Sequence, residues 1–163
     1  MPDPTKINPD GLRIIERPIA SVVIISSDKK ILMGRKDPFR GGVFPNSWHI
    51  PGGGIEDGET FEDAARRESL EEVGIDLTDE KLTLLPFVGH GESARILPSG
   101  EKVWCKMTFN RFEVRLSKSS KAISLHPSND LVDLRWFSED QLTTIEQVPG
   151  GKEFFVQAGY IKA

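Results

Sequence analysis

Apolar and polar positions along the chain alternate in several places and run together in others, which predicts strands and helices in mixture. Residues 19–26 are rich in Ile and Val, as a buried strand is. A polar turn, Ser26-Ser-Asp-Lys-Lys, separates them from Ile31-Leu-Met-Gly-Arg, so the pair predicts a hairpin. Pro38, Gly41, Gly42 and Pro45 mark residues 37–46 as a loop. A short strand begins at Trp48 and is stopped by Pro51 and three glycines. Residues 60–73 read as a helix. Thr60 is placed to cap it, Asp63 is its partner at the third position, and Gly74 supplies the left-handed stop. Strands follow at 82–88, 103–116 and 131–137, with a long loop at 89–102. Ser138 caps a helix through 145, Pro149-Gly-Gly breaks the chain, and 152–160 is a last helix. Residues 1–17 hold three prolines and read as an extended lead-in to one domain at 18–163. The mixture predicts an α+β fold.

One helix departs from the ordinary amphipathic pattern. On a wheel of about 100° per residue, Phe61, Ala64 and Ala65 share a side. That side then receives Glu68, Glu71 and Glu72 where Leu or Val would normally continue it. At ~5 Å and an effective dielectric of ~20, each like-charged pair costs about 3 kcal/mol, before desolvation. Protonation or a cation would relieve that cost. Carboxylates at i, i+3 and i+4 are hard ligands suited to Mg2+ or Mn2+, which retain waters and favour substrate phosphates. The helix alone also admits a solvated acidic face. The preceding Pro51-Gly-Gly-Gly lets backbone approach a ligand.

Composition narrows the partners. Hydrophobic residues make up 37% of the 163, enough for an ordinary core, and no apolar run reaches the ~20 residues of a membrane span. The formal net charge of −4 argues against a nucleic-acid polymer as main partner but permits a small phosphorylated ligand. The one cysteine, Cys105, has no disulfide partner within the chain and reads as a buried small residue; the start shows no signal-peptide pattern. A cytoplasmic location is expected.

The stretch from Gly53 to Ile75 resembles the Nudix box, GX5EX7REUXEEXGU. Gly53, Glu59, Arg67, Glu68, Glu71, Glu72 and Gly74 stand at the motif spacing. Ser69 is the departure, where an aliphatic residue is usual. Trp48-His-Ile-Pro-Gly-Gly-Gly and residues 131–142 resemble the family's flanking segments, so the likeness covers roughly residues 18–145. The resemblance implies an α/β/α sandwich with a mixed sheet, and attack of water at a phosphorus of a nucleoside diphosphate linked to another group. It maps Glu68, Glu71 and Glu72, with the carbonyl of Gly52, onto metal ligands for Mg2+, with Mn2+ as substitute. Gly53, Glu59, Arg67 and Gly74 map onto positions that shape the loop and helix. Glu68, Glu72 and Asp130 are the candidate catalytic carboxylates; Glu68 is the first choice as base, and Asp130 also reads as a turn residue.

Specificity in such a family lies outside the box. Arg35 and Lys36 are candidates for a phosphate, or solvated charge. Phe39, Arg40 and Trp48 are candidates to stack on a base, with core packing the competing reading for Trp48 and Trp104. His90 and Arg95 fall in the predicted 89–102 loop. Nucleotide sugars, nucleoside triphosphates and related compounds all remain open as substrates. Two other readings stand beside them: sugar transfer to water in the manner of a GDP-mannose mannosyl hydrolase, and a non-catalytic nucleotide-sensing domain. The expected partners are small nucleotides, with no membrane and a homodimer as an option.

Overall fold

The computed structural model describes residues 6–37, 46–127 and 131–162. Within them, one mixed sheet of eight strands has helices against both faces, an α+β sandwich. Strand β1 (Ile14–Ile25) is its axis. It runs parallel to β7 (Lys102–Arg115) from the pair Ile14–Trp104 to the pair Ile25–Arg115. Strand β2 (Ile31–Lys36) returns antiparallel from β1 and pairs with β3 (Trp48–His49) and β8 (Leu131–Phe137). Strand β4 (Gly52–Gly54) lies antiparallel beside Ile19, Ala20 and Ser21. On the far side, β5 (Thr83–Leu84) and β6 (Gly89–Ile96) pair with β7.

A central strand covered on both sides needs apolar residues in both alternating sets. Ala20, Val22 and Ile24 enter one core with Ala64, Ala65 and Val73 of helix α1 (Phe61–Val73). Val23 and Ile25 enter a second core with Leu142 of α2 (Glu139–Leu142) and Phe154 and Phe155 of α3 (Gly151–Gln157). Each such Val, Ile or Phe contributes about 1.5–3 kcal/mol by burial. The sheet is therefore held from both sides, and its β4 edge is fixed against α1.

Several element boundaries differ from the sequence-based expectation. The first strand begins at Ile14 rather than Ile19, inside the expected lead-in, because its early residues find β7 as a partner. The segment expected as a loop at 89–102 is mostly strand: β6 pairs with β7 from Gly89–Phe109 to Ile96–Lys102. Its glycines and polar residues mask a strand at a sheet edge, where one side of the ladder is enough. The strand expected at 82–88 is only β5, two residues long. The helix from Ser138 ends at Leu142, and the last helix covers Gly151–Gln157.

Candidate active site

Helix α1 is set by its ends. Thr60 accepts from the Asp63 amide at 3.0 Å, and the Asp63 carboxylate accepts from the Thr60 amide at 3.3 Å, closing a capping box. At the other end Gly74 has φ +77, and its N–H donates to the Leu70 carbonyl at 3.1 Å. The buried stripe is Ala64, Ala65, Ser69 and Val73. Phe61, expected to begin it, is instead 40% exposed. The stripe turns Glu68 and Glu72 toward β4 and leaves Glu71 on the rim: the Glu68 side chain is 13% exposed and that of Glu71 57%.

Two glycines receive the inward carboxylates. The Gly52 N–H donates to Glu72 Oε1 at 3.0 Å. A Cβ at Gly53 would lie 2.6 Å from the Glu68 carboxyl carbon, so only glycine leaves the cradle in which that carboxylate rests. Burial raises the Glu72 pKa well above the usual carboxylate range, against the pull of the Gly52 amide, and the neighbouring Glu68 carboxylate raises it further. Glu68 and Glu72 thus form a desolvated acidic pair that favours one proton or one cation.

Arg67 organises the other side of the cluster. Its Nε and Nη2 grip the two oxygens of Glu59 at 2.7 and 3.0 Å, and Nη2 also donates to the Gly54 carbonyl at 3.0 Å. Its Nη1 donates to Glu68 at 2.9 Å and to Glu71 at 3.1 Å. One guanidinium therefore ties the β4 loop to the helix and aligns Glu68 with Glu71. These bonds hold Glu59 below the usual carboxylate range and raise Arg67 above the ordinary guanidinium value. With Glu71 drawn to Arg67, no set of three or more His, Cys, Asp or Glu side chains surrounds a single point among the described residues. The paired Glu68 and Glu72, the glycine cradle and the hard oxygen donors nevertheless fit a divalent cation.

The family model of the NUDIX domain matches residues 16–157. The chain belongs to the Nudix hydrolase family. An RNA pyrophosphohydrolase of Rickettsia prowazekii is 30% identical over 138 residues, 79% of either chain. The nucleoside triphosphatase NudI of Escherichia fergusonii is 45% identical over 64 residues; that match covers 39% of this chain and 45% of the relative, so the chain spans less than half of that protein's length. The crystal structure of the Nudix hydrolase RenU from M. smegmatis superposes with a TM-score of 0.66 at 20% identity, over 94% of this chain and 92% of that one. At that identity the likeness shows the fold.

Within this Nudix box the unusual Ser69 is fully buried, and its hydroxyl donates to the Ile75 carbonyl at 2.9 Å. The polar side chain thus closes the helix end instead of filling a hydrophobic slot. Outside the box, the candidate residues scatter. Trp48 is 8% exposed and lies in the α2/α3 core, its ring edge-on to Phe137 at 4.9 Å; packing, not stacking on a base, describes its surroundings. Arg35 pairs across from Trp48 and shares its sheet face, with its guanidinium on Asn46 Oδ1 at 2.6 Å. Lys36, one residue on, takes the opposite face, and its charge acts on Glu72 and on His49. Trp104 donates its indole N–H to Glu92 at 2.9 Å. Cys105 is buried. Phe39, Arg40 and Asp130 lie outside the described residues. Arg17, which sequence reasoning did not single out, lies against Gly54, a placement that follows from the β1–β4 pairing. Among the described residues no helix is long and apolar enough to cross a membrane.

Proposed function

We propose that this Nudix hydrolase is a Mg2+-dependent pyrophosphohydrolase, with Mn2+ as substitute, that opens the diphosphate of a nucleotide by attack of water at phosphorus. The desolvated Glu68–Glu72 pair over the Gly52–Gly53 cradle carries this reading. Two carboxylates held face to face away from water are relieved by one proton or one cation, and the hard oxygen donors around them suit a divalent cation. Glu68, Glu71, Glu72 and the Gly52 carbonyl would hold the metal. When bound, it would neutralise the diphosphate and lower the pKa of a coordinated water. Arg67 fixes the direction of Glu68, and Lys36 adds positive charge beside Glu72. Glu68 is the proposed proton acceptor, with Asp130 as the alternative from the late loop.

The relatives above are named nucleoside triphosphatase and RNA pyrophosphohydrolase, which supports a substrate with a phosphoric anhydride carried by a nucleoside. The test is a panel of nucleotide sugars, nucleoside triphosphates and dinucleoside polyphosphates with Mg2+ or Mn2+, products identified by mass after reaction in 18O-labelled water. Label in a phosphate product is expected. Glu72→Gln should lower kcat about hundredfold or more, the range of a lost catalytic carboxylate, while the melting profile remains cooperative. Unlabelled phosphate, or near-normal turnover of the variant on every substrate the wild type cleaves, would overturn the proposal.

A further inference from the structure

Strand β6 lies at an edge of the sheet. It pairs with β7 along its whole length, from Gly89–Phe109 to Ile96–Lys102, and with no other described strand. The ladder fixes where its backbone groups point. The Leu97 amide donates to the Glu101 carbonyl at 2.9 Å, which continues the β6–β7 register into the turn. Gly89, Gly91, Ser93 and Arg95, at even spacing from Leu97, therefore turn their N–H and C=O groups toward β7. On β7 the Trp104 amide points the other way, to the Arg13 carbonyl at 2.8 Å, as that alternation requires. His90, Glu92, Ala94 and Ile96 are left with N–H and C=O groups directed off the sheet. None of these groups bonds a described residue. The side chains of His90, Glu92 and Ile96 are exposed as well.

A row of unmet backbone groups is a template for another strand, and proteins usually blunt it by brevity, proline or a bulge. The other edges of this sheet are blunted in those ways. β3, β4 and β5 are two, three and two residues long, with Pro51 between the first two and Pro86 just beyond the third. β8 changes register against β2 between Arg35 and Lys36. β6 runs for eight residues without proline and without a shift of register. Its edge is the one among the described strands that is both long and regular.

The sequence of β6 says which strand fits there. A twofold axis that pairs β6 with β6 of a second copy allows few alignments. Centred on Glu92 or Arg95, the axis sets a charge against itself. Centred on Gly91 or Ala94, it brings Pro86 opposite Ile96 or Pro98 opposite His90, and proline has no N–H to give. Centred on Ser93, it sets Glu92 opposite Ala94, His90 opposite Ile96 and Gly91 opposite Arg95 of the second copy. Every outward N–H and C=O of β6 is then met, and no like charges oppose one another. Ile96, 69% exposed, gains a neighbour. We infer that β6 joins β6 of a second copy in antiparallel pairing, with Ser93 on the axis, so that two sheets become one. β4 and the acidic pair lie across β1 from β7, so each copy keeps its own site open. The inference stands apart from the hydrolase reading.

The test is sedimentation velocity from micromolar to near-millimolar protein, on wild type and Ala94→Pro, with thiol cross-linking beside it. The wild type should form a dimer. The Ala94 N–H points outward, so proline there spares the β7 ladder and should leave a cooperative thermal melt. It should raise the dimer dissociation constant about tenfold or more, the scale of two lost backbone hydrogen bonds. Cys105 is the one native cysteine, so in a Cys105→Ser background each introduced thiol stands alone. The pair on the axis brings the two Ser93 Cα atoms to about 4.5 Å, within disulfide reach. Ser93→Cys should therefore cross-link two copies on oxidation, and Arg95→Cys, two residues off the axis, should not. This second readout holds whether or not Ala94→Pro folds. A wild type that stays monomeric throughout would overturn the inference. So would a dimer that folded Ala94→Pro leaves intact, or one that cross-links through Arg95→Cys and not through Ser93→Cys.

Discussion

Ser69 shows how one departure from a motif can be absorbed locally. Its hydroxyl is fully buried and donates to the Ile75 carbonyl, while the Ile75 amide lies 3.4 Å from the Ser69 carbonyl. The side chain and backbone of one residue thus hold the chain as it leaves α1. Removing the hydroxyl leaves a buried carbonyl short of a donor, which costs about 1–3 kcal/mol. Ser69→Ala should therefore lower the urea midpoint by that equivalent, with turnover per folded molecule unchanged. A larger aliphatic residue faces a slot that the native packing has already closed. His49 carries a different residue-scale consequence. Its Nδ1 lies 2.8 Å from the Ile50 carbonyl, and its Nε2 is buried with no partner among the described residues. Burial, followed by the charge of Lys36, pushes the imidazole pKa down to about 4 from 6.5. The folded chain then resists protonation that the unfolded chain accepts. The resulting stability is fully present above about pH 6.5 and is lost as pH falls toward 4, at most about 3 kcal/mol. Wild-type chemical stability measured at pH 7 and pH 5 should fall more steeply than that of His49→Gln. Parallel curves would show that the imidazole stays neutral in both states or charges in both.

Helix α1 is the element that makes the chemistry legible. Its capping residues, glutamate spacing and glycine stop can all be read without a structure, because each depends on residues within one turn or two. Gly74 has φ +77, and a Cβ there would lie 2.8 Å from His126 Cβ. Gly74→Ala should destabilise by about 1–2 kcal/mol from the left-handed backbone, plus the cost of moving His126. Differential scanning calorimetry would measure this, and an unchanged melting temperature would mean that the helix can end another way. The same locality explains what the sequence concealed. Strand β6 is held by a partner six to twenty residues away, and Gly89, Gly91 and its polar residues give no alternation of their own. Residues 14–17 become strand only because β7 lies parallel to them. Trp48 and Arg35 looked like binding residues by composition, but face alternation turned both away from α1. The placement of Arg17 beside Gly54 likewise depends on the β1–β4 pairing, which no local pattern encodes. Thus the proposed metal-holding glutamates were readable along one helix, while the contacts between strands that meet across the sheet were not.

At the scale of the whole molecule, two cores clamp a sheet whose β4 edge carries an acidic pair that the protein alone balances poorly. The chain as a whole is already acidic, with a formal net charge of −4, so distant charge gives Glu68 and Glu72 little relief. Arg67 supplies local compensation, yet it is shared among Glu59, Glu68 and Glu71 and leaves buried Glu72 to the Gly52 amide and the charge of Lys36. A divalent cation that binds the folded state should therefore stabilise the entire domain, because α1 and β4 both pack against β1. At a metal concentration one hundred times Kd, the gain is about 2.7 kcal/mol. For a chain of this size that corresponds to a rise of roughly 5–10 °C in Tm. Thermal melts with Mg2+ titrated from micromolar to tens of millimolar should show this rise, with Mn2+ acting similarly and Na+ at matched ionic strength having little effect. Glu68→Gln should abolish most of the shift while raising or preserving the metal-free Tm, because it relieves the repulsion that the cation otherwise neutralises. A variant that melts lower without metal and still gains the full shift would place the stabilising ion elsewhere on the molecule.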